Sequence, residues 1–312
     1  MDNYRAKAPV MAPLLPRVPL TEPERKLLQT LIYQECGMCF DERRASFLED
    51  RLQRRLRTCR IDNFYGYYRL LTSQEGKREL AELLENLTIN ETSFFRNGPQ
   101  LELFQKRILQ QVLSRKQARR EWTIRLWSAG CSTGQEPFTL AMLIAEALDL
   151  FSLRTSPVPP SASPKPVVPS PWRVELLASD ISLPVLRAGQ QGIYSEAQME
   201  PVDYRYRLRY FDKIDANNYQ VKETLRGLVQ FDFHNLKTEF LPSRYDIIFC
   251  RNVMIYFDEA EQQRLVEKFY RCLNPEGFLF VGHAESLLGM TEQFRMIHEG
   301  HGTAYQRIES GA

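Results

Sequence analysis

Two acidic residues follow predicted strands at places where nucleotide-like ligands bind. Glu136 begins the helix after the strand–turn sequence WSAGCSTGQEP, and Asp180 ends the next predicted strand, RVELLASD. The carboxyl ends of parallel strands share one edge of a sheet, where an acid after the second strand binds ribose hydroxyls. A carboxylate at Glu136 would repel a pyrophosphate but attract an amine. The pair therefore predicts a site for a positively charged nucleoside, with ordinary helix-start carboxylates as the alternative.

The turn before Glu136 is rich in glycine but does not match a phosphate-binding motif. Gly130 and Gly134 allow the backbone to approach a ligand closely. Their spacing is neither G-x-G-x-x-G nor a Walker A motif, since no Lys-Ser or Lys-Thr pair follows. The turn is therefore interpreted as part of a site for a ligand without a phosphate chain.

The segment NETSFFRN, residues 90–97, places Phe94 and Phe95 directly before Arg96. It lies between a leucine-rich helical run and a proline-containing turn. At least one of the two aromatic side chains is expected to be buried, and the pair is expected to anchor the segment and exclude water. A guanidinium in this position can hold a carboxylate through two donors.

The elements that position these residues fall into two regions. Residues 21–90 have helical periodicity, and Thr21 and Glu24 form a capping-box pattern at the first helix. After a predicted linker and helix at residues 91–120, strands alternate with helices of about 10–15 residues over residues 121–312. This alternation predicts a parallel, doubly wound α/β sheet, and the last two apolar segments predict a terminal hairpin.

Three segments depart from this organisation. Residues 1–20 contain four prolines and no continuous apolar core, which predicts a disordered tail rather than a signal peptide. Residues 155–171 contain seven of the 18 prolines and predict an extended, flexible insert. Residues 192–230 alternate between apolar and polar side chains, as in YRYRLRYF, and predict a small antiparallel β-subdomain.

The overall composition is that of an ordinary globular protein. A net charge of +2 gives no general argument for nucleic acid or membranes as partners. No apolar run reaches the ~18 residues of a membrane-spanning helix. The six cysteines are scattered, which suits free thiols in a reducing cytoplasm. Cys36 and Cys39 form a CxxC without a second pair, so we predict neither a metal site nor a redox role for them.

Four motifs, NETSFFR, AGCSTGQEP, ASDIS and FCRNVMIYFD, closely resemble those of the CheR-type chemotaxis receptor methyltransferases, and the resemblance extends over residues 21–308. It implies an all-α domain followed by a class I S-adenosylmethionine-dependent methyltransferase domain, which has a Rossmann-like α/β fold and an inserted β-subdomain. It also implies a cytoplasmic, monomeric enzyme. Such an enzyme would esterify glutamates on the cytoplasmic helices of chemoreceptors and release S-adenosylhomocysteine.

The resemblance also implies roles for particular residues. Arg96 and Tyr256 match a pair that lies beside the reacting carboxylate. No metal is implied, and the alternatives are plain packing for Tyr256 and a structural ion pair for Arg251. The residues that match the family's cofactor site are Asn90, Thr92, Arg96, Gly130, Glu136, Asp180, Asn235, Leu236, Arg251 and Asn252.

A basic run, RLQRRLRTCR at residues 51–60, contains five arginines and no acid. On a helix, Arg51, Arg54 and Arg55 are expected to form one exposed stripe that docks a glutamate-rich substrate helix. A solvated helix face is the alternative interpretation. The low net charge argues against nucleic acid as the partner of this stripe.

Two other functions stay open at the level of sequence. One is a non-catalytic module that binds S-adenosylmethionine or S-adenosylhomocysteine and docks to a partner. The other is the same reaction on a different acidic protein. The presence of both Arg96 and Tyr256 favours an enzyme over the binding module.

Overall fold

The computed structural model describes residues 17–155, 167–238 and 244–309. Within these ranges the chain forms two compact units, a smaller one of residues 17–31 and 40–83 and a larger one of residues 32–39 and 84–309. Most of the predicted tail and residues 156–166 of the predicted proline-rich insert lie outside the described residues.

The first part of the described chain is helical, as its periodicity predicts. Thr21 and Glu24 form the expected capping box, in which the Thr21 backbone N donates to the Glu24 carboxylate at 3.1 Å. Asn63 caps a later helix through a 2.7 Å bond from the backbone N of Gly66. The helices are α1 (Glu22–Cys36), a 3₁₀ turn (Glu42–Arg44), α2 (Ala45–Cys59), α3 (Phe64–Leu71) and α4 (Lys77–Leu87).

Glu79 links three helices of the smaller unit. Its carboxylate accepts a hydrogen bond from Arg55 Nε of α2 at 2.9 Å and one from the Tyr67 hydroxyl of α3 at 2.6 Å. Burial alone would raise the pKa of Glu79, but these hydrogen bonds outweigh it and hold the pKa below its ordinary value. The carboxylate is therefore ionised where it joins the helices.

The predicted exposed stripe is wrong at Arg55. Its side chain is 12% exposed and forms an ion pair with Glu79, because α4 supplies the carboxylate from 24 residues along the chain. Arg54 is exposed, and the partly buried Arg51 lies over the Phe47 ring at 4.9 Å. The basic face of α2 therefore depends on Arg54 and its exposed neighbours rather than on Arg55.

The larger unit alternates strands with helices. Its strands are β1 (Thr123–Ala129), β2 (Arg173–Asp180), β3 (Ile193–Ser195), β4 (Phe211–Lys213), β5 (Asn218–Val221), β6 (Val229–Phe233), β7 (Tyr245–Cys250), β8 (Leu273–Val281), β9 (Phe294–Glu299) and β10 (Gly302–Arg307). Its helices are α5 (Gly98–Leu103), a π-helical turn (Phe104–Ile108), α6 (Leu109–Ala118), α7 (Gln135–Thr155), α8 (Leu183–Gln191), α9 (Tyr204–Tyr210), α10 (Glu223–Arg226), a 3₁₀ turn (Met254–Tyr256) and α11 (Glu259–Cys272). None of the helices described is long and apolar enough to cross a membrane.

The main sheet of the described chain has the strand order β6-β2-β1-β7-β8-β10-β9. The first five strands in this order, β6, β2, β1, β7 and β8, are parallel to one another. The other two, β9 and β10, form an antiparallel hairpin beside β8. The predicted α/β class and terminal hairpin are thereby confirmed. The strand order reverses between β1 and β7, and ligands of such sheets bind beyond the carboxyl ends of the strands at this position.

Helices cover both faces of the main sheet. Along β1, Leu126 faces the cluster that includes Phe138 of α7, whereas Trp127 packs against Phe269 of α11 with ring centroids 5.5 Å apart. Alternate side chains of a strand point to opposite faces, so both faces of β1 are buried. This burial fixes where the carboxyl end of β1 lies.

The small antiparallel sheet is present, but its extent differs from the prediction. Its order is β3-β5-β4. The sequence YRYRLRY is helix α9 rather than a strand, because Asp203 accepts the backbone N–H of Arg205 and caps it. Val229–Phe233 pairs in parallel with β2 and belongs to the main sheet, so the residues predicted as 192–230 do not all belong to the subdomain.

Replacing Glu79 by Ala should lower the free energy of unfolding by about 2 kcal/mol, because the largely buried Arg55 loses its main partner. Tyr67→Phe should cost about 1 kcal/mol. Urea unfolding followed by circular dichroism measures both, with the exposed Glu75→Ala as the control. The pKa of Glu79 is lower in the folded state than in the unfolded state. Its carboxylate therefore contributes fully to the free energy of unfolding above the unfolded-state pKa, and this contribution should disappear as the pH falls through the folded-state pKa. Equal midpoints for Glu79→Ala and Glu75→Ala would contradict this account.

Candidate active site

A cavity opens at the carboxyl ends of β1, β2 and β7, and every residue that lines it belongs to the larger unit. Its empty space is about 990 Å³, including the part open to solvent. The lining includes each residue that the sequence predicts as catalytic or cofactor-binding: Asn90, Thr92, Arg96, Gly130, Glu136, Asp180, Asn235, Leu236, Arg251, Asn252 and Tyr256. The roles of these residues stay predictions.

The turn after β1 is hydrogen-bonded to the end of β2 and lies close to the loop after β7. The backbone N of Gly130 donates to the Ser179 carbonyl at the end of β2 at 2.8 Å. Gly130 has φ +79, and a Cβ there would lie 2.4 Å from Val253 in the loop after β7. Only glycine accepts this backbone angle and this close approach together. The turn therefore holds the carboxyl ends of β1, β2 and β7 at a fixed spacing.

Glu136 lies in the first turn of α7, with its carboxylate between two partners. One oxygen accepts the Ser128 hydroxyl at 2.8 Å, and the other lies 3.4 Å from Arg251 Nε. Burial raises the pKa of Glu136, although Arg251 and Ser128 oppose the increase. A carboxylate held in this way favours a further cation beside it, because a cation would stabilise its ionised form.

Asp180 ends β2 and is 8% exposed. Its two oxygens accept the backbone N–H groups of Ser132 at 2.9 Å and Ser182 at 3.0 Å. Burial raises the pKa of Asp180, although these hydrogen bonds oppose the increase. Each carboxylate oxygen has two lone pairs, so the side chain can accept ligand hydroxyls and keep its structural bonds.

These donors and acceptors fit S-adenosylmethionine, which carries an ammonium group, a sulfonium and ribose hydroxyls. The acidic side chains, Glu136 and Asp180, match its positive groups and hydroxyls. Apolar lining from Leu101, Ile181 and Phe257 suits the uncharged parts of the ligand. No lysine is among the lining residues, in agreement with a ligand that has no phosphate chain.

The segment 90–97 is held by its phenylalanines. Phe94 is 1% exposed and packs edge-on against Tyr194 and Phe211 of the small subdomain, with centroids 4.8 and 5.6 Å away. Phe95 contacts Tyr206 of α9 at 5.0 Å. Neither phenylalanine lines the cavity. They anchor the segment, as expected, but the expectation that they keep water from the site is wrong, because they point into the subdomain.

The backbone around Arg96 adopts an uncommon conformation. Phe95 and Asn97, on either side of it, have φ of +52 and +63. These angles lie in the left-handed region, which residues other than glycine rarely adopt. The backbone N of Phe95 donates to Thr139 Oγ1 at 3.2 Å, and Asn97 caps α5 through the backbone N of Gln100. These anchors turn the chain so that Arg96 lines the cavity while both phenylalanines point away.

Arg251 connects this segment to Glu136. Its Nη2 donates to the Arg96 backbone carbonyl at 2.7 Å, and its Nε pairs with Glu136. The side chain is 4% exposed. Arg251 is thus a structural ion-pair residue as well as part of the cavity wall, so the alternative considered for it describes much of what it does.

Arg96 and Tyr256 both donate to carbonyls of one short segment. Arg96 Nη1 donates to the Glu91 carbonyl at 2.9 Å, and the Tyr256 hydroxyl donates to the Ile89 carbonyl at 3.3 Å. Both side chains line the cavity. A carboxylate that entered here would meet two donors that now bind main-chain carbonyls, and charged acceptors bind such donors more strongly.

Part of the lining comes from the segment around Cys36 and Met38, for which the sequence predicts no role. Met38 forms an isolated antiparallel bridge with Phe257, and the Cys39 backbone N donates to the Tyr256 carbonyl at 2.8 Å. Cys36 also lines the cavity, and burial raises its pKa to about 11. A backbone bridge between segments so far apart in the chain has no periodicity, so no sequence pattern could have found it.

Replacing Glu136 by Gln should weaken S-adenosylmethionine binding by roughly 10- to 100-fold, because a buried carboxylate loses its charge opposite a cation. In the wild type, cation binding lowers the pKa of Glu136. Affinity should therefore be constant between the free-state pKa of Glu136 and the pKa of the ligand's α-ammonium group, about 8. It should decline as the pH falls through the Glu136 pKa, at higher pH than for an ordinary glutamate. Calorimetric titration across pH measures this. Equal pH profiles for the wild type and Glu136→Gln would contradict the assignment, and the exposed Glu292→Gln is the control.

Two family models match most of the chain. The family model for the CheR methyltransferase SAM binding domain matches residues 90–154 and 167–303, and the model for the CheR methyltransferase all-alpha domain matches residues 23–88. The chemotaxis protein methyltransferase of Borreliella burgdorferi is 32% identical over 86% of this chain and 90% of its own length. Chemotaxis protein methyltransferase 2 of Pseudomonas aeruginosa is 34% identical over 85% of this chain and 87% of its own length.

A third relative, the chemotaxis protein methyltransferase of Escherichia coli, is 32% identical over 90% of both chains. The two family models together span most of the described chain and include every residue that lines the cavity except Ile89. The chain therefore belongs to the CheR methyltransferase family, and it is a methyltransferase that uses S-adenosylmethionine as its cofactor.

Proposed function

We propose that the protein transfers the methyl group of S-adenosylmethionine to glutamate side chains on the cytoplasmic helices of chemoreceptors. Relatives named as chemotaxis protein methyltransferases support chemoreceptors as the acceptor. The observation that carries the proposal is the placement of two carboxylate-binding donors, on Arg96 and Tyr256, in the same cavity as Glu136 and Asp180. Such a site combines a cofactor pocket with a place for an anionic acceptor.

Methyl transfer to a carboxylate requires that the two reacting groups be aligned and that water be excluded, but it does not require a general base. When bound, S-adenosylmethionine supplies a methyl group on a sulfonium, which a carboxylate oxygen displaces to give a methyl ester and S-adenosylhomocysteine. A glutamate with a pKa of ~4.3 is already ionised at neutral pH, so no residue has to remove a proton. A cation and an anion become two neutral groups, and a water-poor site favours that loss of charge.

The cofactor site is assigned to the carboxylates and to the residues around them. Glu136 would hold the ammonium group, because it is an acidic side chain that lines the cavity. Asp180 would accept the ribose hydroxyls through the lone pairs that its backbone bonds leave. Asn235 and Leu236 would contact the adenine edge of the pocket, and Asn90, Thr92 and Asn252 would complete the wall.

Arg96 and Tyr256 are assigned to the reacting carboxylate. Each side chain already donates to a main-chain carbonyl at the cavity, so each can exchange that partner for a carboxylate oxygen. A very tight grip would make the carboxylate a poorer nucleophile. Their contribution is therefore orientation, which can supply several kcal/mol of the barrier in a bimolecular displacement.

Incubation with radiolabelled S-adenosylmethionine and receptor-rich membranes tests the function. We expect receptor bands to acquire a label that mild base releases as methanol, as a methyl ester requires. Label on a different acidic protein would overturn the receptor as acceptor but retain the reaction. Full cofactor binding without any label would overturn the enzyme and leave the binding module.

Arg96→Lys should lower kcat by about 100-fold, because lysine keeps the charge but cannot bind a carboxylate with two parallel donors. Tyr256→Phe should lower kcat by about 10-fold through the loss of one hydrogen bond to a charged group. In both variants kcat should fall by a larger factor than the cofactor Kd rises. Arg295→Lys and the exposed Tyr65→Phe are matched controls. If the Kd alone changed, the two residues would belong only to the cofactor site.

The helical unit is proposed to dock the receptor helix through α2. Replacing both Arg51 and Arg54 by Ala should raise the KM for receptor by about 10-fold at low salt and by much less at high salt. The matched control replaces the exposed Lys77 and Arg78 of α4 by Ala, which removes the same charge from the same unit. If both pairs changed the KM equally, α2 would be an ordinary solvated face.

A further inference from the structure

The loop that carries Tyr256 is held by a carboxylate from a segment after β8. One oxygen of Glu285 accepts the backbone N–H groups of Asn252, at 3.0 Å, and of Gly282, and the other accepts that of Ile255 at 3.2 Å. Glu285 does not line the cavity. Its hydrogen bonds therefore act on the site through the loop, and its charge also acts on Glu136 and Arg251.

The two loop contacts lie on either side of a tight turn. Asn252 follows the last residues of the β7 motif and has φ +60, and Ile255 directly precedes Tyr256. For a residue other than glycine, the left-handed backbone conformation costs about 1 kcal/mol, and it persists where the surrounding structure stabilises it. Glu285 supplies such a hold, because it binds the N–H of the strained residue and that of the residue before the phenol.

Gly282 gives an independent sign that this arrangement is specific. A Cβ at position 282 would lie 2.7 Å from the Glu285 carboxylate and 2.9 Å from the backbone N of Asn252. The end of β8 can approach the loop this closely only with glycine. The absence of a side chain at Gly282 thus leaves the space that the Glu285 carboxylate occupies.

We propose that Glu285 is a positioning residue for methyl transfer, which fixes residues 252–256 so that the Tyr256 hydroxyl faces the acceptor carboxylate. The inference rests on the proposed function for its effect on turnover. A carboxylate suits this position because three backbone N–H donors converge on its two oxygens. A neutral amide would face one of these N–H groups with its own donors.

Glu285→Gln is the most direct variant, because it keeps the size of the side chain and removes one acceptor oxygen. We expect kcat to fall by about 10-fold, consistent with the loss of a hydrogen bond to a charged group, while the cofactor Kd and the receptor KM change by less than about 3-fold. Glu292→Gln, an exposed change in the following loop, is the matched control. An unchanged kcat would overturn the proposal.

A double-mutant cycle separates positioning from general stability. If Glu285 acts through the phenol, Glu285→Gln should have little further effect on kcat in a Tyr256→Phe background. Losses that multiply in full would show that Glu285 acts elsewhere, and they would overturn the proposal. The cycle also separates an effect of the Glu285 charge on Glu136 from an effect through the phenol. The effect on Glu136 does not depend on the Tyr256 hydroxyl, so it would persist in the Tyr256→Phe background.

Amide hydrogen exchange gives a readout that does not depend on activity. In Glu285→Gln, exchange should accelerate at residues 252–256 and stay unchanged in β7. Equal exchange in the loop of the two proteins would overturn the inference even if the receptor is methylated. Absence of methylation by the wild type, together with faster exchange in the variant, would overturn only the proposed function.

Discussion

A buried guanidinium connects the parts of this site. Arg251 pairs with Glu136 on α7 and donates to the backbone of Arg96, so one side chain joins a helix, the loop after β7 and the segment 90–97. Burial lowers the pKa of Arg251, and Glu136 opposes that decrease. Removal of either partner would leave a buried charge without its counter-ion, which proteins tolerate poorly. The pair therefore gives the three elements one shared arrangement.

The rest of the site follows from that arrangement. The reversal of strand order between β1 and β7 places two loops side by side, and Gly130 lets them approach without a clash. Residues 90–93 and 96 of segment 90–97 line the cavity, while its aromatic side chains are anchored in the small subdomain. As a result, donors for an anion and acceptors for a cation line one cavity.

Much of this was predictable because the important residues lie at the ends of regular elements. The strand ends marked Glu136 and Asp180, and a parallel sheet brings such ends together. Arg55 was misjudged because its partner Glu79 lies on another helix, and helical spacing gives no information about contacts between helices. YRYRLRY was misjudged because its side chains fit a period of two, while Asp203 starts a helix. Glu285 left no trace in the sequence because its partners are backbone N–H groups, which every residue type but proline supplies.

The central claim is that Arg96 and Tyr256 exchange main-chain carbonyls for a substrate carboxylate. A crystal structure with S-adenosylhomocysteine and a glutamate-containing receptor peptide would test it most directly. We expect the Arg96 guanidinium and the Tyr256 hydroxyl to leave the carbonyls of Glu91 and Ile89 and to bind the glutamate carboxylate at hydrogen-bond distances of roughly 2.7–3.0 Å. A glutamate bound in the cavity while both side chains keep their carbonyl partners would contradict it.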